Sequence, residues 1–122
     1  MHTDDSSLTG TVIAAAYRVL NTLGVGFLEK VYENALALEL REQGLLVQQQ
    51  HGVTVEYHGA TVGRYFADLL VQGELLVELK TARAVEDAHM AQCINYLKAS
   101  GLKLCLLLNF GSPRLGIKRI VY

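Results

Sequence analysis

The hydrophobic positions change period twice along this chain, from helical spacing to strand alternation and back. Leu8, Val12, Ala16, Val19 and Leu23 recur every three or four residues and predict a first helix. Ser6 or Ser7 can cap it, and Asp4 and Asp5 suit its positive end. Gly24 and Gly26 break it. A second helix is expected over about 27–43, closed by Gly44, with Phe27, Val31 and Leu38 toward the core. Strands follow at 45–50 and 53–57, with Val53, Val55 and Tyr57 on one face and Thr54, Glu56 and His58 on the other. After a turn at His58-Gly59, a strand starts at Val62 and runs through Tyr65 and Phe66 to Asp68, continuing a meander. A third helix is expected over about 85–99, ended by Gly101. The run 103–110 reads as a strand buried on both faces, in a parallel interior position, and 117–122 as a short edge strand. The order α-α-β-β-β-α-β-β predicts an α/β (α+β, mixed-sheet) fold, and no Gly-rich phosphate loop marks a doubly wound nucleotide binder.

The stretch 68–80 holds the anomaly. Two apolar runs, 69–71 and 75–77, flank Gln72-Gly73, yet Asp68 opens the first and Glu78 and Lys80 close the second. A two-residue turn would pair Glu78 with Ala67 and put Asp68 on the opposite face. A three-residue turn, Gln72-Gly73-Glu74, pairs Asp68 with Glu78, with Gly73 as its left-handed residue. That odd-length connection, or a bulge with the same effect, is expected. Adjacent carboxylates repel, and burying each is costly without a compensating cation. A hard divalent metal such as Mg²⁺ takes one or two carboxylates together with water and phosphate oxygens. Lys80 is a compact donor for a phosphate or an attacking water. For these three residues alone, an ordinary solvated strand end is the competing reading.

Other polar residues fall into lines. Glu29, Tyr32 and Glu33 sit near the start of the second helix, where a first-turn carboxylate is ordinarily a solvated group favoured by the helix dipole. His89, Gln92 and Tyr96 lie at i, i+3 and i+7 of the third helix, apart from the apolar line Met90, Ile94 and Leu97. The plain reading is a solvated face for the first two and packing for Tyr96.

With 122 residues, 51% hydrophobic and 19% charged, the chain is expected to form one folded domain over 1–122. The net charge of −1 hides an asymmetry: Lys98, Lys103, Arg114, Lys118 and Arg119 close the chain with no acid among them. Such an end can meet an anionic polymer, although it is also common on inert surfaces. Cys93 and Cys105, with no basic and apolar leader in Met1-His-Thr-Asp-Asp, suggest reduced core thiols and a cytoplasmic location. The apolar run 104–108 is far too short to cross a bilayer, so no membrane association is expected.

Asp68 followed by Glu78-Leu-Lys80 resembles the metal-binding core of the PD-(D/E)xK nuclease superfamily. Gln92-Cys-Ile-Asn-Tyr96 is similar to the Q-x-x-x-Y helix motif of its RecB-type members, and Gly26-Phe-Leu-Glu29-Lys-Val-Tyr32 matches the G-x-x-E-x-x-Y signature of a small bacterial family within it. The resemblance implies a restriction-endonuclease-like αβββαβ core with an extra N-terminal helix and a C-terminal edge strand. It implies that Asp68, Glu78, the Leu79 carbonyl and Glu29 hold Mg²⁺ or Mn²⁺, and that Lys80 steadies the attacking water or the phosphate. Gln92 and Tyr96 would orient substrate or lysine, and His89, Lys98, Lys118 and Arg119 would contact the substrate. Ala67 stands where the superfamily's nominal Pro would be. The implied activity is hydrolysis of phosphodiester bonds in nucleic acid, expected to be DNA, by one metal or two. A non-catalytic nucleic-acid-binding or assembly module on the same fold is the alternative, and a phosphatase of small molecules has no dedicated motif. Small size suggests a homodimer.

Overall fold

In the computed structural model, residues 5–122 are described, with side chains from Ser7 onward. The elements are α1 (Asp5–Leu23), α2 (Glu29–Glu42), β1 (Val47–Tyr57), β2 (Ala60–Val71), β3 (Leu75–Lys80), α3 (Asp87–Ser100), β4 (Leu104–Asn109) and β5 (Gly116–Val121). The strands form one sheet in the order β1-β2-β3-β4-β5, parallel between β3 and β4 and antiparallel elsewhere. Strands β3 and β4 are buried almost throughout because helices cover both faces. The α1–α2 layer packs on one face against Leu69, Val77, Leu79, Leu106 and Leu108. Helix α3 covers the other, over Leu70, Leu76, Cys105, Leu107 and Ile120. The element order, the parallel β3–β4 pair and the edge position of β5 are those read from the sequence.

Several local expectations are corrected. Helix α1 is already helical at Asp5, so Ser6 and Ser7 lie in its first turn and do not cap it. The expected role of Asp4 and Asp5 lies outside the described residues and side chains. Helix α2 begins at Glu29, and the expected core residues Phe27, Val31 and Leu38 are 48%, 37% and 58% exposed. Its buried face is Tyr32, Glu33, Leu36, Ala37 and Leu40. The segment carries two apolar stripes at helical spacing, and the one that docks contains Tyr32, which anchors the preceding loop. The stretches 45–50 and 53–57 are not separate strands but a continuous β1 from Val47. The register with β2 is the same on both sides of Gln50, at φ 52, and shifts only between Val55 and Glu56. Val47 joins the core under α1 and α2, whereas Val53, six residues on, joins the core under α3. Strict alternation would leave both on one face, so the strand slips phase at its left-handed residue.

Asn109 secures the end of β3. Its Oδ1 accepts hydrogen bonds from the N–H groups of Ala82 and Gly111, both at 3.0 Å, and its Nδ2 donates to the Ala82 carbonyl at 3.0 Å. The Phe110 N–H donates to the Lys80 carbonyl at 2.8 Å. The chain on either side of these contacts runs so close that a Cβ on Gly111 would collide with the Ala82 backbone. Gly111→Ala is expected to destabilise by about 1–3 kcal/mol, as overpacking does. Gly10→Ala, in α1 with open space around it, is expected to stabilise by about 0.5–1 kcal/mol. Urea unfolding of the two variants checks both signs.

Candidate active site

Strands β2 and β3 share a ladder along 69–71 and 75–77, then part. Beyond Leu69, β2 runs on with β1, while β3 stays with β4 through Lys80. Side chains take over the ladder where they separate. The Asp68 N–H donates to Glu78 Oε2 at 2.7 Å, and the Leu79 N–H donates to Asp68 Oδ2 at 2.8 Å. Two backbone donors that the fork would strand are thereby satisfied. The pairing of Val71 with Leu75 leaves residues 72–74 as the turn, so Asp68 comes opposite Glu78. Both Gln72 (φ 55) and Gly73 (φ 69) are left-handed, where only the glycine was expected. Gln72 is held there by exchanging hydrogen bonds with the Leu46 backbone, donating at 2.8 Å and accepting at 2.6 Å.

The fork is short of positive charge. Glu78 is 3% exposed, and burial, then the nearby Asp68 charge, push its carboxyl up to about 8. Burial also raises Asp68, against the opposing hydrogen bonds from Leu79 and Gln50. Glu29 is raised by burial and then by Asp68. Lys80 acts the other way on all three but makes no ion pair within 4.0 Å among the described residues.

Helix α2 delivers Glu29 through the G-x-x-E-x-x-Y stretch. Gly24 (φ 72) and Gly26 (φ 105) turn the chain out of α1. The Tyr32 hydroxyl donates to the Gly24 carbonyl at 2.6 Å and accepts from the Phe27 N–H at 3.2 Å. The fully buried Tyr32 ring stacks on Phe110 with centroids 4.8 Å apart. Tyr32 therefore fixes the loop that sets Glu29 at the first helical position, within electrostatic reach of Asp68, Lys80 and His89.

Sequence reasoning passed over the network behind Asp68. Glu33, 3% exposed, accepts from Lys30 Nζ (2.9 Å) and Gln49 Nε2 (2.8 Å) on one oxygen and from Gln50 Nε2 (2.8 Å) on the other. The same Gln50 nitrogen donates to Asp68 Oδ1 at 3.2 Å. A left-handed glutamine is strained by about 1–2 kcal/mol, and these two bonds hold it. A visible signal was the polar run Gln48-Gln49-Gln50 breaking a strand pattern.

On α3, Gln92 Nε2 donates to the Tyr96 hydroxyl at 3.0 Å. Burial, then Glu78 and Asp68, push Tyr96 up to about 12, so it stays a neutral phenol. His89 Nδ1 accepts the Glu86 N–H at 3.1 Å at the helix start, leaving Nε2 for other contacts. Cys93 and Cys105, the expected core thiols, are buried against each other. The basic residues do not converge. Lys98 lies on the outer side of α3, in a groove against β1. Lys118 is in line with Leu107 and Glu78 but two strands away, about 10 Å by strand spacing. Arg119, next along β5 and so on the opposite face, donates to Thr9 Oγ1 at 3.1 Å. Alternation along β5 sends Lys118 and Arg119 to opposite faces of the sheet.

A family model described as the PD-(D/E)XK nuclease superfamily matches residues 6–120. The chain belongs to the PD-(D/E)XK nuclease superfamily. Among solved structures, that of SSO0001 is similar to this PD-(D/E)XK chain at a TM-score of 0.60 and 17% identity. The match covers 96% of this chain and 58% of that one, so the chain spans little more than half of that relative. The alkaline exonuclease LHK-Exo from Laribacter hongkongensis aligns with a TM-score of 0.45 and 14% identity, over 99% of this chain and 72% of the exonuclease. No curated protein matches the chain.

PD-(D/E)XK nucleases generally use divalent metals, and the donors at the fork suit one. Glu78 Oε1 accepts no hydrogen bond among the described residues, and Asp68 Oδ1 has only the long one from Gln50. No group of three or more His, Cys, Asp or Glu forms a ready cage among the described residues. Glu29 therefore does not close a three-acid set with Asp68 and Glu78 in this structure. An acid raised from 4.5 to about 8 stays protonated in the fold while the unfolded chain ionises. Without added divalent ion, stability is therefore expected to fall as pH rises from about 4.5 to about 8, and Glu78→Gln to flatten that slope. Thermal melts across this window in a chelating buffer give the measurement.

Proposed function

We propose that this chain is a divalent-metal-dependent nuclease that hydrolyses phosphodiester bonds of DNA, its 122 residues serving as one nuclease domain. The observation that carries the reading is the exchanged pair at the fork: Asp68 and Glu78 each satisfy a backbone donor across the gap with one oxygen, which leaves Glu78 Oε1 without a hydrogen bond among the described residues and Asp68 Oδ1 with only the one from Gln50. Asp68, Glu78 and the Leu79 carbonyl would hold Mg²⁺ or Mn²⁺, with Glu29 completing the set directly or through water. When bound, the ion neutralises phosphate charge and lowers the pKa of a coordinated water. Lys80, its backbone fixed by the Phe110 N–H, directs an ammonium at the water or a phosphate oxygen. Gln92 and Tyr96 orient substrate from α3, and His89 offers Nε2 at the same rim. The Gly26–Tyr32 signature supports placing the chain in the small bacterial family named for G-x-x-E-x-x-Y. A cytoplasmic location and a homodimer are part of this reading; among the described residues no helix is long and apolar enough to cross a membrane.

A non-catalytic binding or assembly module is the second reading. The net charge of −1 and the divergence of Lys118 and Arg119 favour its assembly form, since phosphate contacts from Lys and Arg supply most non-specific hold on nucleic acid. Initial cleavage rates with Mn²⁺ on single- and double-stranded substrates separate the two. Lys80→Ala is expected to lower the rate by about a hundredfold or more with its circular dichroism unchanged. Equal rates in the variant, or a gel shift with no cutting under any divalent ion, would remove the nuclease.

A further inference from the structure

Outside the fork, an open groove of about 1100 Å³ runs between β1 and α3. Asp68, Glu78 and Lys80 do not line it, but Gln92 and Tyr96 do. Tyr96, part of its lining, lies within electrostatic reach of Glu78 and Asp68.

The lining has a particular chemistry. Tyr65, half exposed on β2, lies with its ring 5.8 Å from that of Tyr96 and tilted by 43°. Along the facing side of α3, Ala88, Ala91 and Ala99 keep the wall low, while Gln92 and Asn95 supply amides between them. Opposite runs β1, where Gly52 lies between His51 and Val53 in the lining. Lys98 and Glu56 are the only lining residues with a fixed charge, and they cancel. One exposed aromatic face, that of Tyr65, beside the neutral amides of Gln92 and Asn95 suits bases rather than phosphates. In a duplex the base faces are stacked and hidden; in an unpaired strand they are free.

We propose that this groove takes an unpaired strand of nucleic acid, stacking bases on Tyr65 and reading their edges with Gln92 and Asn95 as the backbone passes toward Asp68 and Glu78. The proposal rests on the fork being the hydrolytic site and adds the substrate's form. It also accounts for an acidic chain in a nuclease superfamily, because base stacking replaces the phosphate contacts that a duplex binder needs.

The test is fluorescence anisotropy in a chelating buffer, so that nothing is cut, with a labelled oligothymidylate and a labelled hairpin duplex. The oligothymidylate is expected to bind about tenfold or more tightly than the duplex. Its log affinity is expected to fall with log salt at a slope of only about −1 to −2, reflecting one or two phosphate contacts. Tyr65→Ala, at an exposed strand position, is expected to weaken oligothymidylate binding about tenfold. Asn95→Glu, on the exposed face of α3, is expected to weaken it too, and gives a second probe should the tyrosine variant fold poorly. Equal or tighter duplex binding, a steep salt slope, or unchanged binding in both variants overturns the proposal. Duplex cutting with Mn²⁺ by a protein that shows no preference for single strands sinks the groove and leaves the nuclease. Preferential oligothymidylate binding with no cutting of either substrate upholds the groove and sinks hydrolysis at the fork.

Discussion

Two hydrogen bonds between carboxylates and backbone amides hold open the fork on which the rest of this molecule depends. A sheet that splits must leave N–H groups without partners, and in an apolar setting each such group is costly. Here the residues that fill the gap are themselves acids, so the repair of the backbone and the concentration of negative charge are one event. Strand β2 can leave β3 and follow β1 only because Asp68 and Glu78 stand in for ladder partners.

The surrounding elements stabilise that arrangement from different directions. Helix α2 brings Glu29 by way of Tyr32, and braces Asp68 through Glu33 and the left-handed Gln50. Asn109 and the Phe110 amide fix the backbone at and beyond Lys80. Helix α3 closes the other face with Cys93 and Tyr96, both of which feel the charge of Asp68. The bond between the two thiols raises Cys105, as burial also does, and lowers Cys93.

What could be read from the chain beforehand was whatever local pattern decides. The element order, the parallel β3–β4 pair and the odd-length turn all follow from period and turn chemistry, and with them the meeting of Asp68 and Glu78. The burial of α2 did not, because its two apolar stripes are equivalent until tertiary contacts choose one; the choice was made by Tyr32 against Phe110. That same choice buried Glu33, whose place in the network no local rule announces. The single continuous β1 was hidden for a related reason. A glutamine at positive φ is locally unfavourable and exists only because Glu33 and Asp68 hold it. Lys118 and Arg119 belong to one basic end in the sequence, whereas β alternation sends them to opposite faces.

The two hairpins of this sheet differ in how far their connections can drift. At His58-Gly59 the strands end in open solvent, and extra residues there would lengthen a loop and little else. Between Val71 and Leu75 the count itself carries the information, since side-chain direction on a strand has period two. Most replacements at Gln72, Gly73 or Glu74 would only strain the bend, but a single inserted or deleted residue would rotate Asp68 off the face of Glu78. In this fold, length at that bend is a chemical variable, and residue identity there is secondary.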